Sequence, residues 1–304
     1  MLKVLLAPLL ILAPLAAAAA DSPRFYGMNE KDIAAALKKI HKDNPELQSR
    51  VEAVSAAFLG TPYKEGCLGE GGDGQFDRDP VYSFKLVDCT TSVEQVMALS
   101  LDGDLDKALH ETLQKIRYKD GQVGYTNRNH FTEVDWIPNN AAAGFLEDIT
   151  EKVAGHKTKY IRKLVSKHDW YAHKTLAEIQ GFPPTTSQSE KEQRLSELQA
   201  LASGFKDEAS TIPYVPMDAL PSALTLIPSG TIANLVREDR PDKPSIISHQ
   251  ILLIDKGGVK YVRHAAFGKE YLDVPALEYF YTYYSSSWRL LGLNLNKIAE
   301  PRKP

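Results

Sequence analysis

IISHQILLIDKGGVKYVRHAAF, residues 246–267, holds two runs of aliphatic and β-branched residues around a compact Asp255-Lys256-Gly257-Gly258 turn. That pattern predicts two antiparallel strands joined as a hairpin. Along the first strand Ile247, His249, Ile251 and Leu253 share one face, an apolar row interrupted by a single imidazole. With a loop of Lys256-Gly257, or of residues 255–258, His249 falls directly opposite His264 on the same face. A slip of one residue would send the two rings to opposite faces. A satisfied core histidine is the ordinary reading of either ring alone. Two side by side are hard to explain by packing, and easier to explain as a base and the group that orients it.

Outward from the hairpin, LTLIPSGTIANLV (224–236) and WRLLGLNL (288–295) are further short strand patterns separated by Gly, Pro and Asp. The first half reads differently. Residues 29–58 carry helical spacing broken at Asn44-Pro45, residues 105–118 form another helix, and 188–203 read as a solvent-washed helix. Residues 120–140 are an aromatic and Asn-rich connection, and PYVPMDALPSAL (213–224) reads as a Pro-punctuated linker. Helices first and strands later give an α+β class, with a helix beginning at Cys89 packed on an antiparallel sheet. The 304 residues, 43% hydrophobic and 25% charged, suffice for one core. A formal charge of −3 with no dense basic run argues against a nucleic-acid partner.

Residues 1–20, MLKVLLAPLLILAPLAAAAA, have a lysine, an apolar run and a small-residue end, the pattern of a secretory signal peptide cut after Ala20. No later stretch is long and apolar enough to span a membrane, so no stable insertion is expected after cleavage. The expected product is an exported, periplasmic protein of residues 21–304. It would be one domain with a helical N-terminal part at about 24–58 and a Gly/Asp-rich inserted loop at 66–80.

In DCTTSVEQVMAL (88–99), Asp88 is a good N-cap, and Thr91 with Glu94 matches a capping box. Cys89 therefore falls at the start of a helix whose apolar stripe continues through Val93, Val96 and Met97. The helix dipole there stabilises a thiolate and lowers a thiol pKa. A buried, inert cysteine fits the same position. Cys67, the only other cysteine, lies in the 66–80 loop, and in an exported protein the two would make a permissible disulfide. No HExxH or Cys/His spacing supports a metal, and Asp73, Asp77 and Asp79 lack the spacing of a calcium loop. No cofactor is expected. A reactive Cys89 needs a base and an orienting group, which His249 and His264 would supply.

FLGTPY (58–63), DCTTSVE (88–94), KIRYKDGQVGYTNRNHF (115–131), DWIPNN (135–140) and the late IPSGTI, SHQILLI and RHA runs occur in order through most of residues 50–296. With these motifs the chain resembles the N-acetylmuramoyl-L-alanine amidase-like family within the NlpC-type papain-like hydrolases. The resemblance implies a papain-like fold and hydrolysis of an amide in peptidoglycan fragments, with Cys89, His249 and His264 catalytic. It implies a substrate cleft lined by Tyr63, Thr90, Arg128, His130, Trp136, Asn139 and Asn140. Asp88 is either the N-cap or also a carboxylate that holds a substrate amine, which would favour a γ-D-glutamyl-diaminopimelate peptidase. The third alternative is a wall-binding protein with a Cys67–Cys89 disulfide. This chain departs from the family at Gln250-Ile251, where a Val-Gly pair is usual, at Ala266, where a Ser is usual, and in the length of the 66–80 loop.

Overall fold

The computed structural model describes residues 23–284 and 286–301, so the signal-peptide expectation at 1–20 lies outside the described residues. Among the described residues eight strands form one sheet: β1 (Leu146–Asp148), β2 (Lys159–Val165), β3 (Glu208–Pro216), β4 (Thr231–Arg237), β5 (Ile247–Lys256), β6 (Val259–Ala265), β7 (Tyr271–Pro275) and β8 (Leu290–Ile298). Their order is β2-β3-β8-β4-β5-β6-β7, with β1 beside β3 on the same edge of β8. Every pairing is antiparallel. The α+β reading holds, but the sheet is wider than the sequence suggested. Pro213–Pro216, taken for a linker, is the end of β3, and only 217–226 turns away as short helical segments.

The N-terminal helices α1 (Glu30–Asp43) and α2 (Leu47–Ala57) break at Asn44-Pro45 as expected, and Asn29 caps α1 by accepting the Asp32 N–H at 3.0 Å. The Cys89 helix, α3 (Cys89–Leu101), is not amphipathic. Every residue from Thr91 to Ser100 is buried, because α3 lies between the sheet at β5 and β6 and a helical layer made of α2 and residues 105–117. Buried polar groups are costly unless bonded, and those of α3 are largely matched. Glu94 accepts from Trp136 Nε1 at 3.1 Å and faces Arg117 Nε at 3.3 Å, and Gln95 Oε1 accepts the Ser83 N–H at 2.9 Å. Glu94 thus does not close a capping box. The box is made by Asp88 and Thr91, whose side chains accept each other's backbone N–H.

Ile232, Val236, Leu252 and Ile254 share the main core with α3, while Ala233, Leu235, Ile251, Leu253 and Val262 face a second core closed by the helix Ala276–Tyr284. The hairpin register differs from the expected one. Leu252 pairs with Arg263 and Lys256 with Val259, so the turn is Gly257-Gly258. Both glycines have positive φ, 58° and 82°, which a two-residue hairpin turn demands and which Lys256 would resist. The shift is by two residues and side chains alternate with period two, so His249 and His264 stay on one face as diagonal neighbours.

Candidate active site

The β5–β6 ladder ends at Leu252 and Arg263, and beyond that point β6 continues alongside β7 alone. On its other side β5 carries a bulge between Ile247 and Gln250 against β4. The two irregularities part β5 from β6 at one end of the sheet. Here His249 Nε2 lies 2.9 Å from His264 Nδ1, the rings edge to face with centroids 5.1 Å apart. His264 is braced from behind by Tyr279, whose ring centroid is 4.8 Å away. The start of α3 meets this end of the sheet, and the backbone N–H of Gln250, one residue beyond His249, is directed at the Cys89 sulfur.

Asp88, Cys89 and Thr90 are each half-buried, so the helix start is open to solvent while the rest of the helix is not. Thr90 Oγ1 lies 3.8 Å from the sulfur. Asp88 uses both carboxylate oxygens internally, one on the Thr91 N–H at 2.8 Å and the other on the Gly66 N–H at 3.1 Å. Tyr63 completes the near side: burial, then the neighbouring Cys89 and Glu65, hold its phenol well above the usual range. Its ring meets Phe267 edge-on at 5.3 Å, and Phe267 is 78% exposed.

The electrostatics correct one expectation. Burial and the Asp88 carboxylate push the Cys89 thiol up to about 11, against the opposing hydrogen bonds from the Gln250 N–H and Thr90. Burial, helped by His264 and Arg237, takes His249 down to about 3, and burial takes His264 down to about 4 despite Asp273. The helix dipole is real, but taking an ion out of water outweighs it at this depth. The resting site therefore holds a thiol and neutral imidazoles.

The disulfide alternative is overturned. Cys67 and Cys89 are both free, and the Cys67 sulfur sits against Leu86 O at 3.6 Å and Thr91 Oγ1 at 3.5 Å.

Four of the residues expected to line the cleft are instead committed to the interior. The Arg128 guanidinium clamps the Glu70 carboxylate, with a 2.8 Å bond from its Nε, and reaches Asp77 at 2.9 Å. Asp77 is thereby tied into the loop by Arg128 and by the Asp79 N–H, which it accepts at 3.0 Å. His130 bonds Tyr125 O at 2.7 Å and lies between the Tyr125 and Trp170 rings. Trp136 is 1% exposed with its indole N–H on Glu94, so it cannot stack on a sugar. Asn140 donates to Ile116 O and Trp136 O. Asn139 is half-buried and bonds Asn129 at 2.6 Å. Arg128, Trp136 and Asn140 build the wall behind α3, and Arg128 clamps the 66–80 loop. The Gln250 N–H went unforeseen because a backbone group leaves no signature in residue type.

The chain resembles solved structures along nearly its whole length. A Legionella pneumophila protein of the DUF1460 family matches with a TM-score of 0.81 at 31% identity, covering 90% of this chain and 97% of that one. A structure named as an N-acetylmuramoyl-L-alanine amidase from Bacteroides uniformis matches with a TM-score of 0.62 at 21% identity over 84% of this chain and 99% of that one, a likeness of fold. No curated protein matches. The model of the AmiA-like, N-acetylmuramoyl-L-alanine amidase-like family matches residues 53–285, a span that runs from α2 through Cys89 and both histidines to the end of the C-terminal helix. The chain belongs to the N-acetylmuramoyl-L-alanine amidase-like family.

Proposed function

We propose that this protein is a cysteine amidase of the NlpC-type papain-like kind that cleaves the amide between N-acetylmuramic acid and L-alanine in peptidoglycan fragments. We take it to work after export to the periplasm, where such fragments arise. The observation that carries this reading is a half-buried cysteine at a capped helix start whose sulfur takes the backbone N–H of Gln250, the residue next to His249, where His249 is hydrogen-bonded to His264 and β5 and β6 part.

The chemistry follows from the tautomers. His249 Nε2 is engaged with His264, so its Nδ1 is the nitrogen left for the thiol. For Nδ1 to accept a proton, Nε2 must carry the hydrogen and donate it to His264 Nδ1. His264 then keeps its own hydrogen on Nε2 and holds the base in that state, the role of the third member of a triad. Because thiol and imidazole rest neutral, the proton moves from Cys89 to His249 as the sulfur attacks the amide carbonyl. Backbone N–H groups at the start of α3 are suited to stabilise the oxyanion. His249 returns the proton to the departing alanine nitrogen, leaving a thioester on Cys89. It then draws a proton from water, which releases the muramic acid carboxylate and restores the thiol. Tyr63 and Thr90 flank the sulfur and are the side chains best placed to touch substrate.

Asp88 supports this reading over a γ-D-glutamyl-diaminopimelate peptidase, since both its oxygens already hold backbone N–H groups. Product analysis separates the two. Incubation of N-acetylmuramoyl-L-alanine with the mature protein should release alanine, and an intact substrate beside release of a dipeptide from a muropeptide would transfer the assignment to the peptidase.

A further inference from the structure

Gln250 does something the motif around it does not require. It stands where the related pattern has the Val of a Val-Gly pair, yet it is 1% exposed and by strand alternation faces the same core as Leu252 and Ile254. Its Nε2 donates to Asn234 Oδ1 at 3.0 Å. Asn234 Nδ2 in turn donates to Asn294 Oδ1 at 3.0 Å, and Asn294 Nδ2 reaches Asp148 Oδ2 at 2.9 Å and Thr150 Oγ1 at 3.2 Å. Asn234 is the register partner of both Gln250 and Asn294, so three amides run in a row across β5, β4 and β8, buried at 1% exposure or less. A row of buried amides costs desolvation that aliphatic side chains would avoid, and it fixes its members in one arrangement.

What is being fixed is an unusual piece of strand. Residues 248–249 lie in the bulge against β4, and Gln250, still paired with Asn234 on that side, lies past the end of the β5–β6 ladder on the other. With no β6 partner beyond Leu252, the Gln250 N–H is the group that bonds the Cys89 sulfur. The titratable groups that act on that sulfur are Asp88 on its own helix start and Tyr63 from the turn before the 66–80 loop, and His249 directly precedes Gln250 on β5.

We propose that Gln250 is a positioning residue: its side chain, anchored in the Asn234–Asn294 row, holds the 249–250 peptide so that its N–H meets the Cys89 sulfur and His249 keeps its angle to the thiol. Hydrogen bonds to an anion are stronger than those to a neutral group, so this N–H favours the thiolate as it forms and leaves substrate binding alone. The inference rests on Cys89 being the nucleophile of the proposed amidase.

Gln250→Met keeps the volume and removes the anchor. Expected are a kcat lower by about tenfold, a KM within about twofold, and a pH midpoint for Cys89 alkylation raised by about one unit. Asn234→Ser, one link further away, should move both in the same direction by less, and it carries the test if the first variant does not fold. A lower melting temperature with kcat and the alkylation midpoint unchanged in the folded fraction would overturn the proposal. Alkylation needs no muramyl substrate. Absent turnover in the unmodified protein therefore counts against the amidase reading, while the alkylation shift still decides Gln250.

Discussion

Two regions of this molecule carry residues that look equally functional on paper, and they differ in what their polar atoms are doing. Behind α3, Arg128, Glu70, Asp77, Trp136, Glu94, Arg117 and Asn140 form a buried network whose members largely bond one another. At the start of α3, Cys89 and Thr90 are half-buried, the Cys89 sulfur meets only neutral donors, the Thr90 hydroxyl and the Gln250 N–H, among the hydrogen-bonding groups of the described residues, and His249 bonds His264 through Nε2. The contrast teaches that residue type nominates a site and the state of its hydrogen bonds decides. A saturated cluster stabilises, whereas a cluster with open valences can take a substrate.

Cys89→Ala is the sharpest way to break that comparison. Alanine release should fall by about 10³-fold or more with the melting temperature unchanged, as expected for a half-buried nucleophile at a helix start. His249→Ala should follow with a loss of roughly 10²–10⁴ in kcat, read in the same assay. The opposite signature is expected behind the helix. Arg128→Met would leave Glu70 and Asp77 as buried carboxylates without their cation, at a cost of about 3–5 kcal/mol in denaturant unfolding, while the folded fraction keeps its kcat. If activity fell and stability did not, the wall would have to be redrawn as part of the cleft.

A smaller effect comes from pH. His249 and His264 are held near 3 and 4 in the fold against about 6.5 unfolded, so the unfolded chain binds the extra protons in that interval. Their contribution to stability is complete above about 6.5 and is lost as pH falls toward 3. Melting temperatures across pH 3–7 should decline toward acid, and His264→Asn should flatten the slope. Least of all, Asp88→Ala removes a cap and a tie to Gly66, for about 1 kcal/mol of stability by thermal melting.

Much of the fold could be read in advance where local pattern and tertiary role agree. The α1–α2 break sits at Asn44-Pro45, α3 begins at Cys89 behind its Asp88 cap, and β4, β5, β6 and β8 lie where the apolar runs predict. The hairpin register was misjudged by two residues, because Gly257 and Gly258 both take positive φ, and it survived as a prediction of contact because strands repeat every two residues. β3 was missed because its prolines mimic a linker, and Glu94 was misread because a capping-box spacing is common and the indole that claims it lies 42 residues away.

By itself the sequence determined the class of the fold, the helix that opens on a cysteine, and the shared face of two histidines, since all three follow from short-range periodicity and capping. Only the tertiary structure decided which polar residues remain available. Long-range burial raised the thiol and lowered the imidazoles, closed Arg128, Trp136 and Asn140 into the interior, and brought a backbone N–H of β5 to the sulfur of α3. Desolvation and hydrogen-bond saturation depend on atoms that meet only when distant segments pack, and no local pattern encodes them.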